Sequence, residues 1–387
     1  MKPKLLRITT VPVSLQTLLK GQHRFMSNNG FEVIGISSSG KELENVAQTE
    51  GIKTHPIEMT RTISIFKDLK SLWQLYRYLV KEKPEIIHTH TPKAGIVGSL
   101  AGKLAGVPIR LHTVAGMPLM ETQGIKRKIL LAVERLTYFC ATKVYPNSKG
   151  LYDFILEEGI TDKNKLKIIA NGSSNGIDTS VFDPSLYSSE QNLKFRESLG
   201  IQPTDFVFIF VGRLVSHKGI DELVEAFSQI CKDKNVKLIL VGPREDDLDP
   251  LKPETLEEVK NNKKIIPVGF QKDVRPYFAI SDALTFPSYR EGFPNVVMQA
   301  GAMGLPSIVS NINGCNEIII NEENGIIIPS KDVFSLKTAM TTLLSDKKLY
   351  QALKENSREM IVSRYNQIVI WNSLLKEYQE LISKMGG

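Results

Sequence analysis

A carboxylate and a set of backbone N–H groups meet in the stretch Glu291-Gly292-Phe293-Pro294-Asn295. The apolar run before it predicts a buried strand, and the small residues after it predict a helix that stops near residue 304. Such a loop lies at the carboxyl end of a strand, where open α/β sheets bind ligands, and the helix N-terminus offers unpaired N–H groups to an anion. Glu291 could accept hydrogen bonds from ligand hydroxyls while Gly292 and Phe293 approach a phosphate. The alternative is a helix entry with an incidental acid.

Two cations occupy a second strand-to-helix loop. The apolar run 206–211 ends at Gly212, and Arg213 and Lys218 follow, five positions apart. This spacing suits a diphosphate, whose growing charge must be stabilised as it leaves. Either cation alone is weak support, but with the Glu291 loop the pair predicts a diphosphate site. His217, beside Lys218, is interpreted as a loop filler.

Histidines follow two successive predicted strands in the first half of the chain. His88 and His90 stand at the end of a strand at 85–88, and His112 ends a strand at 109–112. A lone histidine is more often structural than catalytic, and His90 is closer to that description. Two strand-end histidines beside Gly and Pro loops are nevertheless expected to face one crevice.

The elements that must position these residues alternate between strand and helix in both halves of the chain. This alternation predicts parallel, doubly wound sheets. In the first half we expect one continuous helix from about Ser14 to Asn29, and a polar linker begins near residue 179. No Gly-x-Gly-x-x-Gly follows a strand in the first half, which argues against a dinucleotide redox site.

Composition points to an ordinary globular enzyme. The 387 residues are 42% hydrophobic and 24% charged, enough for two domains. No run of eighteen apolar residues and no cleavable signal are found, so a cytoplasmic location is expected. The three cysteines lack paired or metal-ligand spacing, which makes a disulfide framework or zinc site unlikely.

The net charge of +7 is concentrated in the first half. Residues 1–180 carry 25 Lys and Arg against 15 Asp and Glu, whereas the remainder carries 24 against 27. A basic half suggests an acidic partner, and an anionic membrane or a lipid diphosphate is a better candidate than nucleic acid, for which no module is found. A solvated basic surface without a partner is the alternative. The segment 124–133 begins basic and turns apolar, as either an interfacial helix or a core helix would.

The stretch from Glu291 to Pro306 resembles the signature of retaining glycosyltransferases with the GT-B fold, family 4 in particular. That pattern is a glutamate, seven residues and a second glutamate, and Gln299 stands at the second position here. The resemblance covers nearly the whole chain. It implies an α/β GT-B architecture of two Rossmann-like doubly wound parallel-sheet domains facing a central cleft. The acceptor-binding domain would span 1–182 and the nucleotide-sugar domain 183–365, with a helix at 366–387 crossing back onto the first domain.

The resemblance also implies roles for individual residues. The cations match the family's diphosphate pair. Gln299 stands where the family has the glutamate that holds the ribose, and Gln is the weaker hydrogen-bond acceptor. The loop that follows the strand at 265–269 would hold the base. His112 would reach the donor sugar near the reacting carbon. The catalytic set so implied is His112, Glu291, Arg213 and Lys218. The donor-binding set is Gly212, Arg213, Lys218, Gly269, Phe270, Glu291, Gly292, Phe293, Pro294, Asn295 and Gln299.

The acceptor side is implied more loosely. Many family members carry two glycines in the first strand-to-helix loop, which here contains Thr10 and Pro12 and no glycine. Contact with the diphosphate from this loop is therefore doubtful, and the loop is expected to shape the acceptor pocket instead. The acceptor-side residues so assigned are Thr10, Pro12, His88 and His90.

The expected activity is retaining transfer of a sugar from a nucleoside-diphosphate sugar, such as a UDP-hexose or UDP-N-acetylhexosamine, to a glycan hydroxyl. The acceptor would be linked to a lipid diphosphate such as undecaprenyl diphosphate, for capsule or O-antigen synthesis, with peripheral contact to an anionic membrane. No Asp-x-Asp cluster is present, so we expect no metal and no cofactor. A UDP-sugar 2-epimerase of the same fold and a non-catalytic nucleotide-sugar-binding protein are the alternatives.

Overall fold

A computed structural model of the chain describes residues 2–60, 62, 64–232, 234–245, 247 and 249–385, without the side chain of Glu121. The chain divides into two compact units, of which the first comprises Met1–Asn175 with Gln367–Gly387 and the second comprises Gly176–Asn366. The division falls at Asn175 and Asn366, whereas the sequence suggested 182 and 365. The ends of the predicted domains at residues 1, 386 and 387 lie outside the described residues.

Each unit contains one parallel sheet of six strands. The first sheet is built from β1 (Lys4–Ile8), β2 (Glu32–Ser37), β3 (Lys53–Pro56), β4 (Ile86–Thr89), β5 (Ile109–Val114) and β6 (Lys143–Pro146). The second is built from β7 (Phe206–Val211), β8 (Val236–Val241), β9 (Ile265–Gly269), β10 (Ala283–Phe286), β11 (Ser307–Ser310) and β12 (Gly325–Ile328). The central strands are mostly apolar and mostly buried, as strands covered on both faces must be.

Helices alternate with the strands in both units. They are α1 (Pro12–Leu18), α2 (Gln22–Asn28), α3 (Lys41–Glu50), α4 (Ile65–Glu82), α5 (Pro92–Leu104), α6 (Gly124–Cys140), α7 (Lys149–Glu157), α8 (Ser189–Ser198), α9 (Ile220–Ile230), α10 (Pro253–Asn261), α11 (Arg275–Ala279), α12 (Asn295–Ala302), α13 (Cys315–Ile318), α14 (Val333–Ser345), α15 (Lys347–Tyr365) and α16 (Gln367–Ser383). Short 3-10 turns lie at Pro118–Glu121, Lys163–Lys165, Pro184–Leu186 and Ser216–Lys218.

The continuous helix expected from Ser14 to Asn29 is wrong. It is broken into α1 and α2 at Gly21, whose φ of 79° is left-handed. A Cβ at this glycine would lie 2.6 Å from the Trp371 ring. The break is therefore fixed by the indole of α16, which lies far away in sequence and leaves no local signal.

The last helix, α16, packs on the first unit. Trp371 contacts Phe25 with ring centroids 5.3 Å apart, and the Trp371 Nε1–H donates to Asn175 Oδ1 at 2.7 Å. The Tyr378 hydroxyl lies 2.6 Å from His88 Nδ1. α16 thus helps to cover one face of the first sheet, together with α1, α2 and α3.

Both sheets have the same strand order. The first runs β3-β2-β1-β4-β5-β6 and the second β12-β11-β10-β7-β8-β9. In each, the order reverses between the first and fourth strands of the unit, which is the point where doubly wound sheets bind ligands beyond the carboxyl ends of their strands. In the second unit this switch point lies between β7 and β10.

Candidate active site

The two loops singled out by sequence lie side by side at the switch point of the second unit. Arg213 and Lys218 follow β7, and Glu291 follows β10, which pairs with β7 in parallel. Because parallel neighbours end at the same edge of a sheet, both loops leave from that edge. The fold therefore brings together residues that are more than seventy positions apart.

Lys218 and Glu291 contact each other directly. Lys218 Nζ donates to Glu291 Oε1, and the Ser288 hydroxyl donates to the same oxygen at 2.9 Å. Both charged side chains are mostly buried, at 14% and 15% exposed. Lys218 Nζ also lies 5.4 Å from the centre of the Phe286 ring. A shielded pair of this kind is held in one geometry far better than a pair in open solvent.

A glycine permits the close approach of the two loops. Gly219 has a left-handed φ of 73°, and a Cβ there would overlap the Pro287 carbonyl oxygen. The Tyr289 N–H donates to the His217 carbonyl at 2.9 Å, which joins the loops a second time. Gly219 is therefore required both for its backbone conformation and for the space that it leaves.

Arg213 is held by residues that the sequence analysis missed. Its Nη1 donates to Glu245 Oε2 at 2.6 Å, and its Nη2 lies 3.4 Å from His217 Nε2. A guanidinium only donates, so Nε2 accepts and the ring proton lies on Nδ1, which donates to Asp249. The interpretation of His217 as a loop filler is wrong, because it lies between Asp249 and Arg213. The acidic composition of the segment after β8 was the available signal.

The helix that follows the Glu291 loop, α12, has backbone N–H groups available at its N-terminus. Asn313 Nδ2 donates to the carbonyls of Glu291 at 3.1 Å and Gly292 at 2.8 Å. The N-cap of α12 is Pro294, and no side chain caps this end. The first turn of α12 therefore offers N–H groups and a partial positive charge to an anion. Asn313 is a second contributor that the sequence analysis did not assign.

Three other predicted donor-site residues lie farther along the same edge or helix. Gly269 ends β9 with φ 68°, and the following Phe270 is 69% exposed. The Gly269 carbonyl accepts from the Gly242 N–H at 2.9 Å, which connects the ends of β8 and β9. Gln299 lies half-buried on α12, and no side-chain hydrogen bond is made to it by the described part of the chain.

His112 is buried in the first unit, with 3% exposure. Its Nδ1 lies 2.8 Å from the Thr89 hydroxyl, which itself donates to the Leu111 carbonyl at 3.1 Å. Nδ1 therefore carries the ring proton, and Nε2 is left as an acceptor. Burial lowers the pKa of His112 to about 4, so the ring is neutral at neutral pH. A Cβ on Gly95 would lie 2.5 Å from this ring, so α5 needs glycine there.

The expectation that His88, His90 and His112 face one crevice is wrong. In the register of β4 and β5, His88 pairs with Leu111 and Thr89 pairs with His112. Because side chains alternate along a strand, His88 and His112 project from opposite faces of the sheet. The His90 ring lies on the same face as the His88 ring, with centroids 4.1 Å apart and planes tilted by 33°.

The four residues assigned to the acceptor side are all buried. Both ring nitrogens of His88 are occupied, by Tyr378 and by Thr113 at 2.8 Å. The Thr10 hydroxyl bonds that of Thr91 at 2.7 Å, Pro12 lies in the first turn of α1, and His90 is bonded to Arg7. These four residues therefore lie in the interior of the unit. His88 has no ring nitrogen left to bond the acceptor substrate.

Two protein families match the two halves of the chain. Residues 24–172 match the glycosyl transferase 4-like domain, and residues 191–360 match glycosyl transferases group 1. The capsular polysaccharide biosynthesis glycosyltransferase CapM of Staphylococcus aureus is 31% identical over 99% of this chain and 99% of its own length. The chain belongs to the family 4, group 1 glycosyltransferases.

Two further comparisons agree with this membership. The UDP-Gal:alpha-D-GlcNAc-diphosphoundecaprenol alpha-1,3-galactosyltransferase of Escherichia coli is 31% identical over 93% of this chain and 94% of its own length. Anabaena Alr3699/HepE, solved in complex with UDP, superposes with a TM-score of 0.81 at 18% identity, covering 98% of this chain and 100% of that one. The glycosyltransferase described here therefore has the GT-B fold. The relatives favour transfer over epimerisation or mere binding.

We expect Gly219→Ala to weaken binding of UDP at least about tenfold, since the added Cβ pushes the Lys218 loop away from Pro287 and each 1.4 kcal/mol corresponds to a factor of ten. Gly200→Ala is the matched control. Gly200 has a similar φ of 67° and no atom within 4 Å of its added Cβ, so it bears the backbone strain without the clash. Isothermal titration calorimetry with UDP measures both variants, and equal affinities would contradict this account of Gly219.

We expect a decrease in pH to lower the stability of the first unit before that of the second. Burial lowers the pKa of His23 to about 3 and of His112 to about 4, and also lowers the pKa of His88 and His90. Unfolding restores a pKa near 6.5, so the unfolded chain binds more protons and stability falls as pH decreases from about 6.5 toward about 4. The second unit has one histidine, His217. Hydrogen exchange at pH 7 and 5, corrected for intrinsic rates, should show loss of protection first in the first unit; earlier loss in the second would refute this.

Proposed function

We propose that this glycosyltransferase moves a sugar from a UDP-sugar, with retention of anomeric configuration, to a hydroxyl of a lipid-diphosphate-linked glycan in cell-surface polysaccharide synthesis. One observation carries the proposal. Arg213, Lys218 and the uncapped N-terminus of α12 flank the switch point of the second unit, beside Glu291. This arrangement suits a diphosphate with a hydroxylated group attached to it.

The donor diphosphate would replace Glu245 as the partner of Arg213 and would add a contact to Lys218, which Glu291 holds. Glu245 bonds Arg213 and Glu291 bonds Lys218, so both cations are held in place before a ligand arrives. Arg213 is 44% exposed and its acid 31%, which leaves this pair open to exchange. A diphosphate oxygen bonded by Arg213, Lys218 and α12 N–H groups gains stabilisation as its charge grows during bond cleavage. We propose that these groups stabilise the leaving group without a metal or another cofactor.

The nucleoside would lie on the remaining predicted residues. Gln299 offers one acceptor and two donors to the ribose hydroxyls, in place of a carboxylate. The exposed Phe270 and the backbone at Gly269 form the edge assigned to the base. The UDP named in the relative from Escherichia coli and in the Anabaena structure supports uridine as the base.

His112 would position the donor sugar. Its Nε2 is an acceptor, and the low pKa of His112 excludes the imidazolium at neutral pH. The ring can therefore accept a hydrogen bond from a sugar hydroxyl, but it has no proton on Nε2 to give. Glu291 would hold further sugar hydroxyls from the second unit. In the front-face mechanism that the family suggests, a leaving phosphate oxygen takes the acceptor proton, so no protein base is assigned.

The acceptor proposal rests on charge and on one relative. The first half of the chain carries the excess of Lys and Arg over Asp and Glu. The Escherichia coli relative is named for a diphosphoundecaprenol-linked acceptor. A lipid-linked glycan diphosphate would bring a negative charge and a membrane surface to this basic half.

The structure of α4 and α6 supports peripheral contact with that membrane. Among the residues described, no helix is long and apolar enough to cross a bilayer. On α4, an apolar stripe at helical spacing faces solvent instead of the core, and on α6 a similar set is exposed. The exposed residues are Phe66, Leu69, Trp73, Tyr76 and Val80 on α4, and Ile125, Ile129, Leu136 and Phe139 on α6.

Basic side chains accompany this apolar stripe. Lys67, Lys70 and Arg77 lie on α4, and Arg77 lies 4.8 Å from the centre of the Trp73 ring. Three basic residues also open α6. Apolar residues flanked by cations are typical of helices that lie in the headgroup region of anionic bilayers. This supports the interfacial interpretation of 124–133, and α4 is the larger contributor that the sequence analysis missed.

The direct test of activity is incubation with UDP- and GDP-sugars and a synthetic undecaprenyl-diphosphate-linked glycan, followed by mass spectrometry. Arg213→Ala and Lys218→Ala should each lower UDP affinity by roughly 10–100-fold, since charged hydrogen bonds contribute about 1.5–3 kcal/mol. Glu245→Gln should raise UDP affinity by about two- to fivefold, because it removes the charge that competes with the diphosphate for Arg213.

Lys194→Ala, on the exposed pair with Glu190, is the control and should change nothing. Glycan extension with UDP release supports the proposal, and isomerised UDP-sugar without an acceptor would indicate the epimerase. UDP affinity unchanged in the Arg213 and Lys218 variants would refute the donor site.

Vesicle sedimentation tests the membrane face. Phe66→Ser with Trp73→Ser should lower binding to phosphatidylglycerol vesicles at low salt by about tenfold or more, because interfacial binding scales with buried apolar area. Phe334→Ser on α14 is the matched control, since Phe334 is 76% exposed but lies in the second unit. Absence of binding to anionic vesicles, together with efficient glycosylation of a water-soluble acceptor, would end the membrane proposal.

A further inference from the structure

A fully buried arginine lies in the middle of the first sheet without a carboxylate partner. Arg7 is 0% exposed on β1, where it pairs with His88 on β4. Its Nη2 donates to Gln22 Oε1 and its Nε donates to His90 Nε2 at 3.0 Å. No ion pair joins it to any residue within the described ranges, and its Nη1 is buried without a partner. Burial of an unpaired charge is costly, so a compensating group is needed.

The hydrogen bond from Arg7 fixes the proton of His90. Because a guanidinium has no acceptor, His90 Nε2 must accept, and the proton of the ring lies on Nδ1. His90 Nδ1 is also buried and makes no hydrogen bond within the described structure. His90 therefore presents an N–H donor that needs an acceptor, and it is polarised by the guanidinium at its other nitrogen.

A small cavity of mixed polar and apolar lining lies beside His90. Its polar lining includes His90 and Asn147, which follow β4 and β6, and Ser173; its apolar lining includes Ile169 and Leu374, and its volume is about 20 Å³. A cavity of this volume can hold one water-sized particle. His88, Thr113 and Tyr145 also line it, and no carboxylate does among the described residues. A cavity without a carboxylate, beside a histidine that is bonded to a buried guanidinium, favours a small anion over a cation.

We propose that this cavity, the His90 cavity, binds a monovalent anion of halide size. The His90 Nδ1–H would donate to the anion, and its charge would compensate that of Arg7. Other members of the wall, the hydroxyls of Thr113 and Ser173 and the amide of Asn147, can supply further donors. The site is independent of the donor-binding loops, which lie in the second unit.

The anion would stabilise the end of the first unit. Gln22, which accepts from Arg7, donates from Nε2 to the Ser174 carbonyl at 3.1 Å and to Asn175 Oδ1 at 3.0 Å. The Trp371 indole donates to the same Asn175 oxygen at 2.7 Å. Arg7, the segment that leaves the first unit and α16 are therefore connected through one chain of hydrogen bonds. Holding Arg7 in place holds the other members.

Halide dependence of thermal unfolding tests the proposal on the intact chain. At constant ionic strength, replacing sodium gluconate by sodium chloride or bromide should raise the unfolding temperature of the first unit by about 2–4 °C, saturably. His90→Gln and Arg7→Met should remove this dependence. Arg24→Met, on the exposed Arg24 of α2, is the control and should retain this dependence.

Crystallography keeps the test decisive even where Arg7→Met does not fold. Crystals of the unaltered protein soaked in sodium bromide should show an anomalous difference peak within hydrogen-bonding distance of His90 Nδ1. A water-like peak without anomalous signal, together with an unfolding temperature that is the same in gluconate and chloride, would overturn the proposal and identify the occupant as buried water.

Discussion

The close approach of two loops at the switch point of the second sheet is the constraint on which the rest of the site depends. It requires parallel β7 and β10 to be neighbours, a glycine at position 219 and the contact of Lys218 with Glu291. The first requirement concerns strand order, the second backbone conformation and the third charge. Loss of any one separates a cation from a carboxylate that no other element of the chain would bring together.

The two cations are already held in fixed positions by acid partners before a ligand arrives. Unpaired, Lys218 and Arg213 would sample many rotamers, and ordering them would cost part of the binding free energy. Glu291 and Glu245 hold them instead. The Lys218–Glu291 pair is the more buried of the two, and the more exposed pair joins Arg213, after β7, to Glu245 on the loop after β8. The first defines the geometry of the site, and the second can exchange its acid for a ligand oxygen.

Sequence patterns predicted those parts of this arrangement that have local signals. Apolar runs located the strands, and glycine-rich loops with charges located Lys218 and Glu291. The role of His217 was missed because Asp249 and Arg213 come together only through the fold. The break at Gly21 was missed for the same reason, since the Trp371 indole belongs to the last helix. The face of a strand-end histidine depends on register, which periodicity alone does not supply.

The two units use their polar groups in opposite ways, and this decides where chemistry can occur. In the first unit Arg7, His88 and His90 are buried and bonded to other buried groups, Arg7 to His90 and His88 to Tyr378. Groups without solvent access cannot exchange partners with a ligand at low cost. In the second unit the charged groups are paired with acids, and solvent reaches the Arg213–Glu245 pair, which is 44% and 31% exposed, more than the Lys218–Glu291 pair. Among these buried groups of the first unit, His112 keeps an acceptor at Nε2, whereas the second unit presents its paired cations and carboxylates at the edge of its sheet.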